Sequence, residues 1–486
     1  MQPDALARDT ASPEGLSSVD PADGAGAKPA GETVPRRALV GWVLFDWSTQ
    51  PFFTLVVTFV FGPYFVNAVA SDPVSGQTQW MLATSAAGLS LAILSPVLGA
   101  IADAGGPKKP WVLAFGALMG AAAALLWLVP PAASPDLVLL ALVAFAVATV
   151  AAELAGTFNN AMMPALVPAH RLGRLSGAGW ATGYAGGLVS LAIVLTLLAA
   201  SPETGRTLAG LEPLFGLDPA AREGDRIVGP LTALWFAVFV LPLAVFTPDA
   251  PRGGRPVGAA VREGLARVRG TIADARRNPA IARFLLAHMA YQDGLVVLFG
   301  LGTIYGAGLF GWSTVELGVF GILILVTGTL GALAGGPIDD RIGPRAVILG
   351  SLAILALVTI GVLSLGESRV LFVVETAPAG GPGLYGSVPE QVFLGLGLVI
   401  GALAGPLQAS SRSLLARLVP AGDAGRYFGL LALSGKLTAF LGPFLVAVFT
   451  GVFQTQAAGP IVLLVFFLVG ALLVRGVPNG RGLSAA

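Results

Sequence analysis

The 486 residues contain no cysteine and only two histidines, His170 and His288. Disulfides, thiolate metal sites and cysteine nucleophiles are excluded together, and no His-Glu-x-x-His metal helix is present. Charge is scarce as well. Only 11% of the residues are charged, against about 25% in soluble domains, too few to face water all round. The formal net charge of +1 argues against nucleic acid as a partner. No Walker A sequence is available to couple nucleotide hydrolysis. Ser176 and Ser434 precede glycines, but no base is placed to activate either of them. The sequence therefore does not read as an enzyme, and it implies no metal and no cofactor.

What the chain has in excess is apolar surface, 55% of residues with a mean hydropathy of +0.80. It also has 65 glycines and 35 prolines without a collagen-like period. That mixture suits lipid, where small residues let helices approach closely and neighbouring helices rescue interrupted backbone hydrogen bonds. A span needs roughly 20 apolar residues. Segments of that kind predict twelve helices, at 38–69, 79–102, 110–129, 137–163, 174–200, 228–246, 281–307, 314–338, 344–365, 391–418, 425–450 and 458–475. The fold class expected is an all-α polytopic membrane protein of about twelve transmembrane helices in two pseudo-symmetric six-helix halves.

Basic residues orient the spans. Twenty lie at helix ends and loops on the side of the N-terminus, against Arg206, Arg222, Arg226 and Arg369 on the other. Both termini are therefore expected in the cytoplasm. Residues 1–36 read as a disordered cytoplasmic tail without the layout of a cleaved signal peptide. An N-terminal half follows at 37–247, a cytoplasmic linker at 248–280, a C-terminal half at 281–476 and a short tail at 477–486. In the linker, Val261, Leu265, Val268 and Ile272 form one helical stripe with arginines on the other faces. Such a helix either lies on an anionic leaflet or is a solvated connection with charged faces.

The chain repeats itself. Gly99, Asp103, Gly106 and Lys108 recur as Gly336, Asp340, Gly343 and Arg345, 237 positions on. Leu166-Val-Pro168 with Gly173-Arg174 recurs as Leu418-Val-Pro420 with Gly425-Arg426, 252 positions on. Each pair falls at the same point of its half, between the second and third helices and between the fourth and fifth. Two parallel repeats of this kind build transporters whose substrate site lies between the halves at the membrane midplane. The first pair is a turn in which glycines allow the bend and the acid can accept from backbone N–H groups at a helix start. The loop resembles the signature of the major facilitator superfamily, although Ala104 stands where that pattern usually has arginine. The resemblance implies the major facilitator fold and a gating role for these eight residues.

Further stretches resemble one branch, the vacuole-effluxer-like family. They are Phe45-Asp46-Trp47-Ser48, Phe158-Asn159-Asn160 through Pro164, Ser176-Gly177 through Gly186-Gly187, Tyr291-Gln292-Asp293-Gly294, Gln408 through Arg412-Ser413, and Ser434-Gly435-Lys436. Fungal members are similar to autophagy-related amino-acid effluxers of the vacuole, and bacterial members are mostly of unassigned substrate. The resemblance thus implies transport more firmly than it implies any one substrate.

Ionisable groups within spans are functional candidates. Here they are Asp46, Glu153 and Asp293 against Arg412 and Lys436. Glu153, Gly156 and Asn160 share one face of the fourth helix, and Gly405, Gln408 and Arg412 take the same positions 252 residues later. Trp180, Tyr184 and Gly187 form a stripe on the fifth helix, with Lys436 as the counterpart of Tyr184. On this reading Arg412 and Lys436 bind a carboxylate, with Asn160 and Gln408 as polar neighbours. Glu153, Asp46 or Asp293 binds an ammonium group or a coupling proton, and Trp180 and Tyr184 form an apolar wall. The alternative has Arg412 neutralising Glu153 or another acid in a structural pair, and Asp46 either solvated or paired with Lys436. His288 is expected in packing.

The function expected is secondary active transport of a small solute, an amino acid or similar zwitterionic or carboxylate metabolite, by alternating access with a proton as coupling ion. A monomer in a bacterial inner membrane fits best. A uniporter or exporter of a sugar, nucleoside or drug-like molecule would read similarly. A lipid scramblase or membrane scaffold is the remaining rival.

Overall fold

The computed structural model describes residues 34–103, 106–167, 172–201, 204–250, 257–378, 383–419 and 424–478. The expected N-terminal tail falls almost wholly outside these residues. Six helices come first: α1 (Arg36–Val69), α2 (Pro73–Asp103), α3 (Lys109–Leu128), α4 (Pro135–Leu166), α5 (Leu172–Ile193, prolonged by a wide turn to Leu198) and α6 (Glu223–Phe246). A linker helix, Val257–Arg277, leads into the second six. These are α7 (Pro279–Phe310), α8 (Thr314–Ile342), α9 (Pro344–Leu363), α10 (Val388–Leu418), α11 (Ala424–Leu437 and Leu441–Phe453) and α12 (Gly459–Arg475). Among the described residues, eleven helices are long and apolar enough to cross a membrane. The 31-residue α2 packs beside them against α4 and α11. With α2 counted as the twelfth crossing, both described ends fall on the face that carries the linker helix.

Local chemistry sets the helix ends. Asn278 caps α7 by accepting from the N–H groups of Ala280 (3.1 Å) and Ile281 (3.3 Å), with Pro279 as the first helical residue. Ser313 with Glu316 and Ser387 with Glu390 are reciprocal capping pairs at the starts of α8 and α10. Glu390 also accepts from the Trp312 indole (2.9 Å). Asp72 caps α2, and its hydrogen bonds from Ser75 hold its carboxyl below the usual carboxylate range. Between α8 and α9, Gly343 takes φ +90°, a conformation that side chains resist. This is the physical demand behind the glycine in the second signature turn.

Three elements depart from expectation. The sixth helix begins at Glu223 rather than 228, because its first turn is polar and escapes a hydropathy window. α1 contains wide turns at Phe52–Phe59 and Phe65–Val69; Val60 N–H, for example, reaches back five residues to Leu55 (3.0 Å). The eleventh helix, expected as one run over 425–450, is interrupted at Thr438–Phe440. There Leu441 N–H closes a tight turn on the Thr438 carbonyl (2.7 Å). The Phe440 carbonyl is shared between Phe444 N–H (3.0 Å) and the Ser85 hydroxyl of α2 (2.9 Å).

Candidate functional site

Depth along the helices decides which charges meet. Glu153 lies thirteen residues before Leu166 at the end of α4, and Tyr184 twelve after Leu172 at the start of α5. At 1.5 Å per residue these are ~20 Å and ~18 Å from the face of the termini, the same level. Lys436, the counterpart of Tyr184, therefore stands at the level of Glu153. The structure joins them: Lys436 Nζ lies 3.0 Å from Glu153 Oε2 and donates to the Thr157 hydroxyl one turn on (3.3 Å). The pair bridges the first six helices and the last six.

Arg412 does not take that place. It is the counterpart of Asn160, only six residues from the end of α4 and ~9 Å from the face. The alternative that paired Arg412 with Glu153 is thus corrected by about 10 Å of helix rise, and that pairing Lys436 with Asp46 by the bond to Glu153. Arg412, Gln408 and Asn160 are exposed, and among the described residues Arg412 makes no ion pair. Gly156, on the same face as Glu153 and Asn160, has nothing within 4 Å of where a Cβ would stand. Trp180 and Tyr184 lie side by side on α5, their rings tilted by 41° with centroids 5.8 Å apart, both exposed. Polar side chains exposed at this depth are costly against lipid and are functional candidates. Gly405, where the first half has Glu153, packs against α8, and a Cβ there would stand 2.8 Å from Ala332. The second half has no room for an acid at that position.

Asp46 faces α5 through a groove of glycines. A Cβ at Gly179 would collide with its carboxylate, and one at Gly183 would stand 3.3 Å from its Cβ. Gln50 and Thr54 continue along Gly183 and Gly187. Asp46 and Lys436 do not bond to one another, since Lys436 pairs with Glu153. On α7, Tyr291 bonds Ser411 of α10 (2.7 Å), Gln292 lies against Gly435 of α11, Gly294 receives Phe467 of α12, and buried Asp293 faces the α11 interruption. His288 meets the Ser434 hydroxyl (3.3 Å) and the Tyr291 ring, a hydrogen-bonded packing role.

Several site residues were missed by sequence reading. Asp249, at the end of α6, accepts from the N–H groups of Lys108 (2.8 Å) and Lys109 (3.0 Å) and so caps α3. The side chains of Asp103, expected in that role, and of Asp340 lie outside the described residues, as do the surroundings of Gly99. Beside Asp340, Asp339 pairs with Arg417 (4.0 Å), and Arg345 donates to the Arg475 carbonyl. On the side away from the termini, buried Asp225 of α6 binds both Arg222 and the Thr314 hydroxyl of α8. Gln77 donates to Thr450 (2.7 Å), Gln456 to the Pro73 carbonyl (3.1 Å) and Thr303 to the Thr58 carbonyl (2.5 Å). Together these bonds seal that side between the halves.

The seal can be tested because the chain has no cysteine of its own. Asp225→Ala removes the Thr314-to-carboxylate bond across the seal and strips Arg222 of its neighbouring partner, worth about 1–3 kcal/mol. A single cysteine placed at Ser85, buried behind the seal, should then label about tenfold faster with a membrane-impermeant maleimide applied from that side. Unchanged labelling would show that the contact does not hold the side shut.

Comparison with known proteins agrees with this architecture. The Vacuole effluxer Atg22 like family matches residues 73–486. The uncharacterized MFS-type transporter YxiO of Bacillus subtilis is 26% identical over 442 residues, covering 90% of this chain and 94% of that protein. Autophagy-related protein 22-2 of Aspergillus clavatus is 25% identical over 291 residues, 57% of this chain, and the chain spans 43% of its length. Among solved structures, a mutant of the nucleoside transporter NupG superposes with a TM-score of 0.62 at 12% identity, over 90% of this chain and 98% of that one. A bacterial homolog of the human lysosomal transporter Spinster, inward-facing and unoccupied, gives a TM-score of 0.62 at 14% identity over 91% and 98%. These likenesses establish the fold.

Proposed function

Because the chain belongs to the vacuole effluxer Atg22-like family, and so is a multi-pass transporter of the major facilitator type rather than an enzyme, we propose that it moves an amino acid or similar zwitterionic or carboxylate metabolite by alternating access, coupled to protons. The observation that carries this reading is the Lys436–Glu153 pair, 3.0 Å apart and spanning the halves. At ~18–20 Å from the helix ends it lies near the middle of a hydrocarbon core about 30 Å thick. A zwitterion can divide such a pair, giving its carboxylate to Lys436 and its ammonium to Glu153, and neither charge is left bare. Arg412, with Asn160 and Gln408, stands ~10 Å nearer the termini as a first contact for the carboxylate on the way in or out. Trp180 and Tyr184 offer the apolar wall for a side chain. Glu153 and Asp46 are the acids open enough to exchange a proton. The exposed side chains of Asn160, Gln408 and Arg412 and the bonds joining the halves on the opposite side support an inward-open state; our reading places it as a monomer in a bacterial inner membrane with both termini cytoplasmic.

Uptake into proteoliposomes tests the reading. Arg412→Ala should weaken apparent affinity for carboxylate solutes about tenfold, the worth of one partly exposed charge-assisted bond, and leave amide analogues unaffected. Equal loss for both, or none, would overturn its role as a carboxylate contact. Accumulation that ignores an imposed pH gradient would make the protein a uniporter.

A further inference from the structure

Asp293 is 1% exposed and lies within the membrane-spanning part of α7. Its Oδ1 has no close hydrogen-bond partner, and the Thr438 hydroxyl, which faces the carboxyl from α11, has no other partner. A charged carboxylate at this depth without a partner is costly enough that it is held with a proton or a cation. The charged and titratable groups on the surrounding helices do not supply one. Lys436, two residues before Thr438, is committed to Glu153. Arg412 lies on the exposed face of α10, and Arg475 ends α12. On α7 itself, His288 bonds Ser434 and Tyr291 bonds Ser411.

The second, independent feature is the interruption of α11. Its tight turn at Thr438–Phe440 breaks the helical ladder opposite Asp293, and α7 approaches so closely that a Cβ at Gly442 would stand 3.0 Å from the Asp293 carbonyl. Interrupted transmembrane helices can turn oxygen ligands toward hard monovalent cations; here the Thr438 and Phe440 carbonyls are already bonded, and the oxygen offered beside the Asp293 carboxylate is the Thr438 hydroxyl. The same turn touches the other half of the molecule, through the Ser85 hydroxyl on the Phe440 carbonyl (2.9 Å).

We propose that Asp293 and the Thr438 hydroxyl, at the interrupted turn of α11, form a site for one small monovalent cation, a proton or a sodium ion. Its occupancy fixes the turn that carries Lys436 to Glu153 on one side and Phe440 to Ser85 on the other. This deepens the coupling part of the transport reading and rests on it for its consequence, but the site can be tested without any solute.

The test is thermal unfolding of the purified full chain in detergent. One series replaces choline by sodium at fixed pH, and a second moves from mildly alkaline to mildly acidic buffer with choline alone. Native protein should gain about 3 °C in one of the two series, as expected for a ligand bound only by the folded state. A gain with sodium identifies sodium, and a gain on acidification alone identifies the proton. Asp293→Asn should abolish the response. Thr438→Val, which keeps the shape, should weaken the apparent sodium affinity about tenfold or shrink the response to acid. A response to neither ion, or one that both variants retain, overturns the site. If the cation response holds while solute uptake ignores every ion gradient, the site stands and the coupled-transport reading fails.

Discussion

Replacing Lys436 with methionine is expected to lower solute uptake into proteoliposomes by about 100-fold while the protein still folds. The side chains of Lys436 and Glu153 are each about a third exposed (33% and 36%), so their bond is screened and adds little to stability. For transport the balance is different. A zwitterion arriving at the pair must find both partners, and losing a charge-assisted contact of about 2–3 kcal/mol costs roughly 30- to 150-fold in affinity. Glu153→Gln should show a loss of similar size, restricted to solutes with an ammonium group. The double variant Glu153→Gln with Lys436→Met should melt within about 1 kcal/mol of the native protein and remain inactive, because it restores electroneutrality without restoring the site. Normal uptake by Lys436→Met would remove the pair from the substrate path.

Much of this site was legible in the sequence. The two-half fold follows from apolar run lengths and repeated turns. The level of Lys436 follows from its being the counterpart of Tyr184, once Tyr184 and Glu153 are counted from their helix ends. Arg412 was drawn towards Glu153 because opposite charges invite pairing, but its counterpart is Asn160 and the helix rise separates them. Other parts had no such signal. Asp249 caps α3 from a segment 140 residues away, and nothing local marks an aspartate after a helix end as the cap of another helix. The Asp225–Thr314 contact joins the starts of α6 and α8, whose proximity depends on how the halves close. The interruption of α11 escapes because Ser434 to Phe440 contains no proline and only Gly435 as a breaker. It follows from packing, with Gly88 of α2 pressed against Phe440 and Gln292 of α7 against Gly435. Tertiary contact decides such a break more than propensity does.

The glycine groove of α5 gives the largest expected effect on folding. Gly179→Val places two methyl groups where the Asp46 carboxylate now stands, with Trp42 behind it at 3.3 Å from the glycine's Cβ position. Neither neighbour can withdraw easily. Trp42 is fully buried, its indole bonded to the Asn159 carbonyl (2.8 Å), and Asp46 is hemmed in by Gly183. Helices in lipid associate by close packing rather than by a hydrophobic drive, so forcing α1 from α5 should cost about 3 kcal/mol, the upper range for overpacking. The expected result is a sharp fall in melting temperature and yield. Adding Asp46→Ala to Gly179→Val removes the colliding carboxylate and should restore most of the melting temperature. That rescued protein then separates the two roles of Asp46. If it folds and still accumulates solute against a pH gradient, Asp46 only fills the groove. If it folds and accumulation is lost, the acid takes part in coupling. Native-like melting of Gly179→Val alone would show that α1 and α5 are not held by this groove.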